Sequence, residues 1–114
     1  MDHKEMDVWK TGMILVEKIY ELIAEFPREE KYGLASQMKR AAVSIPSNIA
    51  EGAARKSNKE FGQFISISLG SLAELETQYL LAIRLRFIDE NSELNEMFES
   101  MRRLLIGTRN YLNK

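Results

Sequence analysis

The side chains best suited to a chemical role in this sequence are basic, and they concentrate in its second quarter. Residues 31–60 carry a net charge of +4, whereas the whole chain of 114 residues carries −1. Lysine and arginine neutralise phosphate groups without reading a base sequence. The candidate nucleic-acid-binding residues, called here the basic set, are Lys39, Arg40, Arg55, Lys56 and Lys59. The competing interpretation is that they pair with the acidic first helix, in the same chain or in a neighbouring one, because residues 1–30 carry −4.

A second pattern is a polar stripe on two predicted helices. Spacings of mostly three and four residues place polar side chains on one face of each helix. The stripes consist of Arg40, Ser44, Ser47, Asn48, Glu51 and Arg55, and of Gly70, Ser71, Glu74 and Gln78. From these stripes and the neighbouring Gly52, the candidate residues of a polar stripe or subunit seam are Ser44, Asn48, Glu51, Gly52, Gly70, Ser71 and Glu74.

Two interpretations of the polar stripe stay open. It is either a satisfied polar network inside one chain, pairing Arg40 or Arg55 with Glu74 or Glu51, or a seam between subunits or a ligand-facing surface. Gly70 lacks a side chain and would let another backbone approach closely.

Catalytic and metal-binding chemistry has no support in the sequence. The chain has no cysteine and one histidine, His3, so it lacks a nitrogen and sulfur cluster for zinc. It has no Glu-x-x-His pair for a di-iron bundle and no histidine inside the fold to activate a serine. We therefore expect no enzyme activity, no catalytic residue, no metal and no cofactor.

Length and composition indicate a small folded protein. A chain of 114 residues with 45% hydrophobic and 29% charged residues suits one domain, residues 1–114. The longest unbroken apolar run, 79–83, is far too short to span a membrane, and the polar N-terminus does not look like a signal peptide. We expect a cytoplasmic protein with no membrane partner.

Apolar residues recur with helical period in four segments, at about 7–25, 34–53, 58–86 and 93–112. Pro27 is expected to end the first, and the capping box Ser57-Asn58-Lys59-Glu60 to open the third. Short connections favour antiparallel neighbours, so the predicted fold is all-α, an up-and-down antiparallel four-helix bundle. The fourth helix is expected to bury Leu94, Met97, Met101, Leu104, Leu105 and Tyr111.

Pro46 lies inside the second predicted helix. It has no N–H, and its ring crowds the carbonyl of Ala42, so we expect a proline kink in helix 2. Ser44, Ser47 and Asn48 are near enough to satisfy the freed carbonyl. The alternative is two helices broken at Pro46, and Gly52 is expected to mark the end of the segment.

Several of these motifs together resemble one family over nearly the whole chain. The similarity begins near Asp7-Val8-Trp9-Lys10 and is strongest from Leu34 to Arg55, above all in Asn48-Ile49-Ala50-Glu51-Gly52. It resumes at Gly70-Ser71-Leu72-Ala73-Glu74. The chain resembles the 23S rRNA intervening-sequence (IVS) proteins, a bacterial family of four-helix bundles. Ser68 stands where the family is expected to favour alanine.

The resemblance implies assembly as a cyclic homopentamer. The chain also looks like the accessory variability protein of diversity-generating retroelements, a basic pentameric barrel that binds nucleic acid and a reverse transcriptase. It departs from that relative in its net charge of −1. For the IVS proteins themselves, the resemblance implies a genetic link to ribosomal RNA and no established biochemical activity.

Two hypotheses follow. In the first, an oligomer repeats the basic set and binds RNA by avidity, because repetition strengthens a site that is weak in one chain. In the second, the chain is a protein-interaction scaffold that does not contact nucleic acid, or that docks a nucleic-acid-handling protein. The second hypothesis requires the basic set to be neutralised by acidic residues such as Glu17, Glu21, Glu25 or Glu74.

Overall fold

The helices follow the predicted order in the computed structural model, which describes residues 2–114. The four long helices are α1 (Asp7–Ile23), α2 (Leu34–Ala53), α3 (Asn58–Arg84) and α4 (Ser92–Leu112). Short 3-10 helices lie at His3–Glu5 and Arg28–Glu30, and no strand occurs in the described part of the chain. The predicted all-α fold is confirmed.

Each long helix packs on its neighbours in sequence, and α4 closes the bundle against α1. Contacts between α2 and α3 join Ser44 to Ser71 and Ile45 to Ser68, so residue numbers rise on one helix as they fall on the other. The α1–α2 pair follows the same rule, since Gly12 lies next to Pro46 and Tyr20 next to Lys39. So does the α3–α4 pair, in which Arg102 donates to Glu76 and Arg109 to Ser66. All consecutive helices are therefore antiparallel, as in an up-and-down bundle.

Each of the four helices contributes one apolar stripe to the core. The fully buried large side chains lie on all four. They include Leu15, Ile19, Met38, Ile45, Ile49, Ile65, Leu72, Leu75, Tyr79, Leu94, Phe98 and Met101. Their burial removes apolar surface from water, which is the main favourable contribution to folding of a domain this small.

The inward face of α4 differs from the predicted one. Tyr111 is 63% exposed, whereas Phe98 and Leu112 are buried. The buried positions Leu94, Phe98, Met101 and Leu105 advance by four, three and four residues, which is the helical repeat. The prediction for Tyr111 was wrong because Leu94, Met97, Met101, Leu104 and Tyr111 also lie on one helical stripe, and the neighbouring stripe that contains Phe98 and Leu112 is the buried one.

Helix α2 continues through Pro46 to Ala53, so the alternative of two helices broken at Pro46 is wrong. Asn48 Nδ2 donates to the backbone oxygen of Ser44 at 2.8 Å, and Ser68 Oγ donates to that of Ile45 at 2.9 Å. These bonds engage the carbonyls that precede Pro46, and not that of Ala42. The proline kink stays a prediction.

The connections between helices are fixed by side-chain and backbone caps. Ser57 Oγ accepts from the Glu60 N–H at 3.1 Å, which confirms Ser57 as the N-cap of α3. At the other end of α3, Arg86 has a positive φ of 64° and the Phe87 N–H donates to the Ala82 oxygen. This geometry matches a Schellman-type helix end with arginine at the position that usually holds glycine.

An ion pair joins α1 to α4 at the surface. Lys18 Nζ lies 3.2 Å from Glu93 Oε1 and 3.9 Å from Glu21 Oε2. The hydrogen bond to Glu93, and then its charge, raise the pKa of Lys18 above the ordinary lysine value. Among the carboxylates of α1, Glu21 therefore has its cation on its own helix and not on α2.

Candidate nucleic-acid interface and helix seam

The five residues of the basic set fall into two groups at different ends of α2. Lys39 and Arg40 lie in its first half, whereas Arg55, Lys56 and Lys59 lie at the bend between α2 and α3. The thirteen positions from Arg40 to Ala53, the end of α2, correspond to about 20 Å along the helix. The set is therefore two separate basic surfaces rather than one patch.

Most of the basic set has no acidic partner inside the chain. Within residues 2–114, no carboxylate lies within 4.0 Å of Arg40, Lys56 or Lys59, and all three are exposed. Lys39 also lacks an ion pair, and its ammonium group lies 5.2 Å from the centre of the Tyr20 ring. Within residues 2–114, the basic set therefore forms no ion pair with the acidic first helix of its own chain. Pairing with the first helix of a neighbouring chain stays a prediction.

Arg55 differs from the rest of the set. Its guanidinium donates to Glu51 Oε1 at 3.0 Å, one turn earlier on the same side of α2. The same group lies 4.8 Å from the centre of the Phe64 ring, a cation–π distance. Arg55 therefore has structural contacts that tie the end of α2 to α3.

The middle of the polar stripe forms a network between α2 and α3. The hydroxyl oxygens of Ser44 and Ser71 are 2.9 Å apart, and Asn48 Nδ2 donates to Ser44 Oγ at 2.9 Å. All three side chains are half-buried. For Ser44, Asn48 and Ser71, the interpretation as a network within one chain is the one that the geometry supports.

Two buried polar residues accompany this network on α3. Ser68 is fully buried and donates to the Ile45 oxygen across the helix interface. Gln78 is 6% exposed, and its Oε1 has no hydrogen-bond partner within residues 2–114. In the sequence, Ser68 was noted only as a departure from the alanine expected of the family, and its hydrogen bond was not predicted, because a lone serine on an apolar face has no pattern.

Gly52 has a packing role rather than a capping one. It lies in the last turn of α2 without a positive φ. A Cβ at this position would stand 2.7 Å from Phe64 Cβ and 2.9 Å from Phe61 Cδ1. Gly52 therefore allows the ends of α2 and α3 to approach more closely than any other residue type would.

Other residues of the stripe face outward. Arg40, Glu51, Gly70 and Glu74 are exposed, and Arg40 and Glu74 do not form an ion pair with each other. A Cβ on Gly70 would meet no atom within 4 Å, so nothing inside the chain requires glycine there.

Large apolar side chains share this outer face of α3. Ile67, Leu81 and Leu85 are 44–55% exposed, and their spacing puts them on the same side of the helix as Gly70 and Glu74. An exposed apolar stripe beside a glycine is typical of a surface that contacts another protein. The sequence pattern marked Gly70 and Glu74 but not these three apolar residues.

The described residues contain no group of three or more histidine, cysteine, aspartate or glutamate side chains placed to hold a metal ion. Within the same residues, no helix combines the length and the apolar character needed to cross a membrane.

Comparison with known proteins adds two findings. A model of the 23S rRNA-intervening sequence protein family matches residues 4–107. Among solved structures, the chain is similar to a protein of unknown function from the S23 ribosomal protein family of Bacteroides thetaiotaomicron VPI-5482. The two are 24% identical, with a TM-score of 0.83 over 96% of this chain and 99% of the other. The search of curated proteins found no match.

Proposed function

This chain belongs to the 23S rRNA-intervening sequence protein family, and we propose that it is a non-enzymatic, oligomeric, cytoplasmic protein that binds RNA through its basic set. The observation that carries the proposal is the absence of an acidic partner around Arg40, Lys56 and Lys59 within residues 2–114. A cation without an internal partner is available to a phosphate.

The two basic surfaces suit a partner that is long and repeats its charge. A single lysine or arginine contributes little to binding at physiological salt, because salt screens exposed charges. Groups separated by about 20 Å of helix, the length from Arg40 to the end of α2, can contact phosphates on different nucleotides of one RNA. Assembly into an oligomer would multiply these contacts and raise the overall affinity.

The test is RNA binding measured by fluorescence anisotropy against salt concentration. We expect the affinity of the unmodified protein for a labelled structured rRNA fragment to fall steeply with salt. Replacing Arg40, Lys56 and Lys59 together by alanine removes three phosphate contacts, so affinity should fall at least tenfold at low salt. The slope of log K against log salt should become shallower by about 2 to 3.

The matched control replaces three exposed cations outside the basic set, Lys4, Lys10 and Arg84, by alanine. It changes the net charge equally and should bind RNA nearly as well as the unmodified protein. Equal losses of RNA affinity in both variants would show that binding depends on net charge and not on the basic set. No binding at low salt would reject the RNA proposal and favour the protein-interaction scaffold.

The proposed oligomer, a homopentamer by family resemblance, would use the outer face of α3. Two features support this surface: the exposed side chains of Ile67, Leu81 and Leu85, and the open space around Gly70. A second chain would cover the apolar side chains and approach closely at Gly70.

We expect Gly70→Gln to dissociate the oligomer without unfolding the chain. The new side chain has room inside its own chain and improves helix propensity, so only contacts with another copy would be obstructed. Sedimentation velocity should report a mass near the 13.2 kDa of one chain instead of a multiple of it.

Gly107→Gln on α4 is the control, because a Cβ there also meets no atom within 4 Å. This variant should keep the mass of the unmodified protein. A monomeric unmodified protein, or an intact oligomer in the Gly70 variant, would contradict the assignment of this surface.

A further inference from the structure

A cavity of about 620 Å³ lies at the end of the bundle where α1 leads through the 3-10 helix Arg28–Glu30 into α2. Its volume is within the range of sites that hold small organic ligands, about 300–1,000 Å³. Only Lys39 among its lining residues belongs to the basic set. The cavity is thus distinct from the basic surface at the bend between α2 and α3.

Three cations line this cavity, and no carboxylate does. They are Arg28, Lys31 and Lys39. In the part of the chain that the structure describes, none of the three has a carboxylate within 4.0 Å. The Lys31 ammonium group lies 5.5 Å from the centre of the Tyr32 ring, outside the lining. Three positive charges around one cavity, without carboxylate counter-charges, favour an anionic occupant, and arginine in particular binds phosphate through two parallel hydrogen bonds.

The acidic residues of the same segment do not neutralise the three cations of the cavity. Glu21, Glu25, Glu29 and Glu30 are near in sequence, but none of them lines the cavity. The carboxylate of Glu30 accepts from the Leu34 N–H at 3.3 Å, at the start of α2. No carboxylate of this segment therefore neutralises the cations of the cavity.

The rest of the lining is aromatic and aliphatic. Tyr20 and Phe26 lie on the wall, with Pro27 and Ile23 beside them. The Phe26 ring packs against Phe87 with centroids 5.6 Å apart, which holds it in place, and the Tyr20 side chain is 44% exposed. Aromatic side chains of this kind stack on the faces of nucleobases.

We propose that this cavity binds a nucleotide unit, with its phosphate on Arg28, Lys31 and Lys39 and its base against Tyr20 and Phe26. A simple inorganic anion would leave the aromatic wall unused, and an apolar ligand would leave three charges unpaired. The unit is either a free mononucleotide or one unpaired nucleotide of an RNA. Binding of a free mononucleotide would go beyond the proposed RNA binding, whereas binding of one nucleotide of an RNA rests on that proposed function.

Isothermal titration calorimetry on the full chain tests this proposal with defined probes. AMP should bind at least tenfold more tightly than adenosine, which lacks the phosphate, and tenfold more tightly than inorganic phosphate, which lacks the base. Replacing Arg28 and Lys31 together by alanine should weaken AMP binding at least tenfold. Both side chains are exposed, so the fold is expected to persist, and a thermal melt verifies it.

A single-stranded octa-adenylate distinguishes the two sources. Binding of AMP assigns the site to free mononucleotides, whereas binding of the oligonucleotide alone, lost on replacing Arg28 and Lys31, assigns it to RNA. The proposal is overturned if neither probe binds, if phosphate or adenosine binds as tightly as AMP, or if the double variant binds unchanged. Lys4→Ala with Lys10→Ala is the charge-matched control and should bind like the unmodified protein.

The calorimetry experiment on the cavity and the anisotropy experiment on the basic set can fail independently of each other. The variant of Arg40, Lys56 and Lys59 leaves the three cations of the cavity intact, and the variant of Arg28 and Lys31 leaves the basic set intact. RNA binding that survives one variant and not the other identifies which surface is used.

Discussion

Replacing Gly52 with alanine is expected to lower the free energy of unfolding by about 2 kcal/mol. The added methyl group would stand 2.7 Å from Phe64 Cβ, an atom next to the backbone of α3 that cannot rotate away. Overpacking of this kind costs about 1–3 kcal/mol and occasionally more, and the gain in helix propensity over glycine, about 1 kcal/mol, offsets part of it. Urea unfolding followed by circular dichroism at fixed protein concentration measures the change.

The same substitution at Gly12 provides the control. Gly12 is buried in α1, but a Cβ there would lie 3.6–3.7 Å from Pro46, Ile45 and Met101, which is ordinary contact. Gly12→Ala should therefore raise stability by about 0.5–1 kcal/mol. Equal effects of the two substitutions would show that Gly52 does not set the approach of α2 to α3.

Replacing Tyr79 with phenylalanine should lower the free energy of unfolding by about 2 kcal/mol, although it removes one oxygen atom. The Tyr79 hydroxyl accepts from the Asn91 N–H at 2.8 Å and lies 3.0 Å from Asn95 Oδ1, to which it can donate. Asn91 is also the N-cap of α4, since its Oδ1 accepts from the Leu94 N–H. Loss of a partner for a part-buried polar group costs about 1–3 kcal/mol.

Tyr111→Phe is the matched control for this prediction. Tyr111 is mostly exposed, and its hydroxyl makes no hydrogen bond within residues 2–114. Its replacement should change stability by less than about 0.5 kcal/mol. A loss at Tyr111 as large as that at Tyr79 would contradict the orientation of α4.

Hydrophobic periodicity was enough to predict the helices and their order. The bounds of α2 agree with the prediction at both ends, because Gly33 precedes the apolar stripe and Ala53 closes it. The outward orientation of Tyr111 was missed because two stripes of similar hydrophobicity compete on α4, and only packing against α1 and α3 selects the one that contains Phe98.

The candidate site was predicted less completely, since charge in a sequence does not reveal pairing in space. The basic set was identified as a group, but Arg55 is engaged by Glu51 and Phe64, and Lys39 lies near the opposite end of α2 from Lys56. The cavity was missed because Arg28 and Lys31 stand among glutamates in the sequence. Only the turn between α1 and α2 brings these cations towards Lys39.

The buried hydroxyl groups between α2 and α3 also decide how the two helices align along their axes. A slip of α3 by two turns would put Leu75 or Phe61 in place of Ser68, so the apolar core alone discriminates weakly among alignments. Such a slip would leave Ser68 without the Ile45 oxygen and Ser71 without Ser44. Each part-buried group left unpaired carries a free-energy cost, so misaligned pairings are penalised. Ser68 and Ser71 thereby fix the register of α3 against α2. Their main effect is to select one alignment of the helices, and their direct contribution to the free energy of unfolding is secondary.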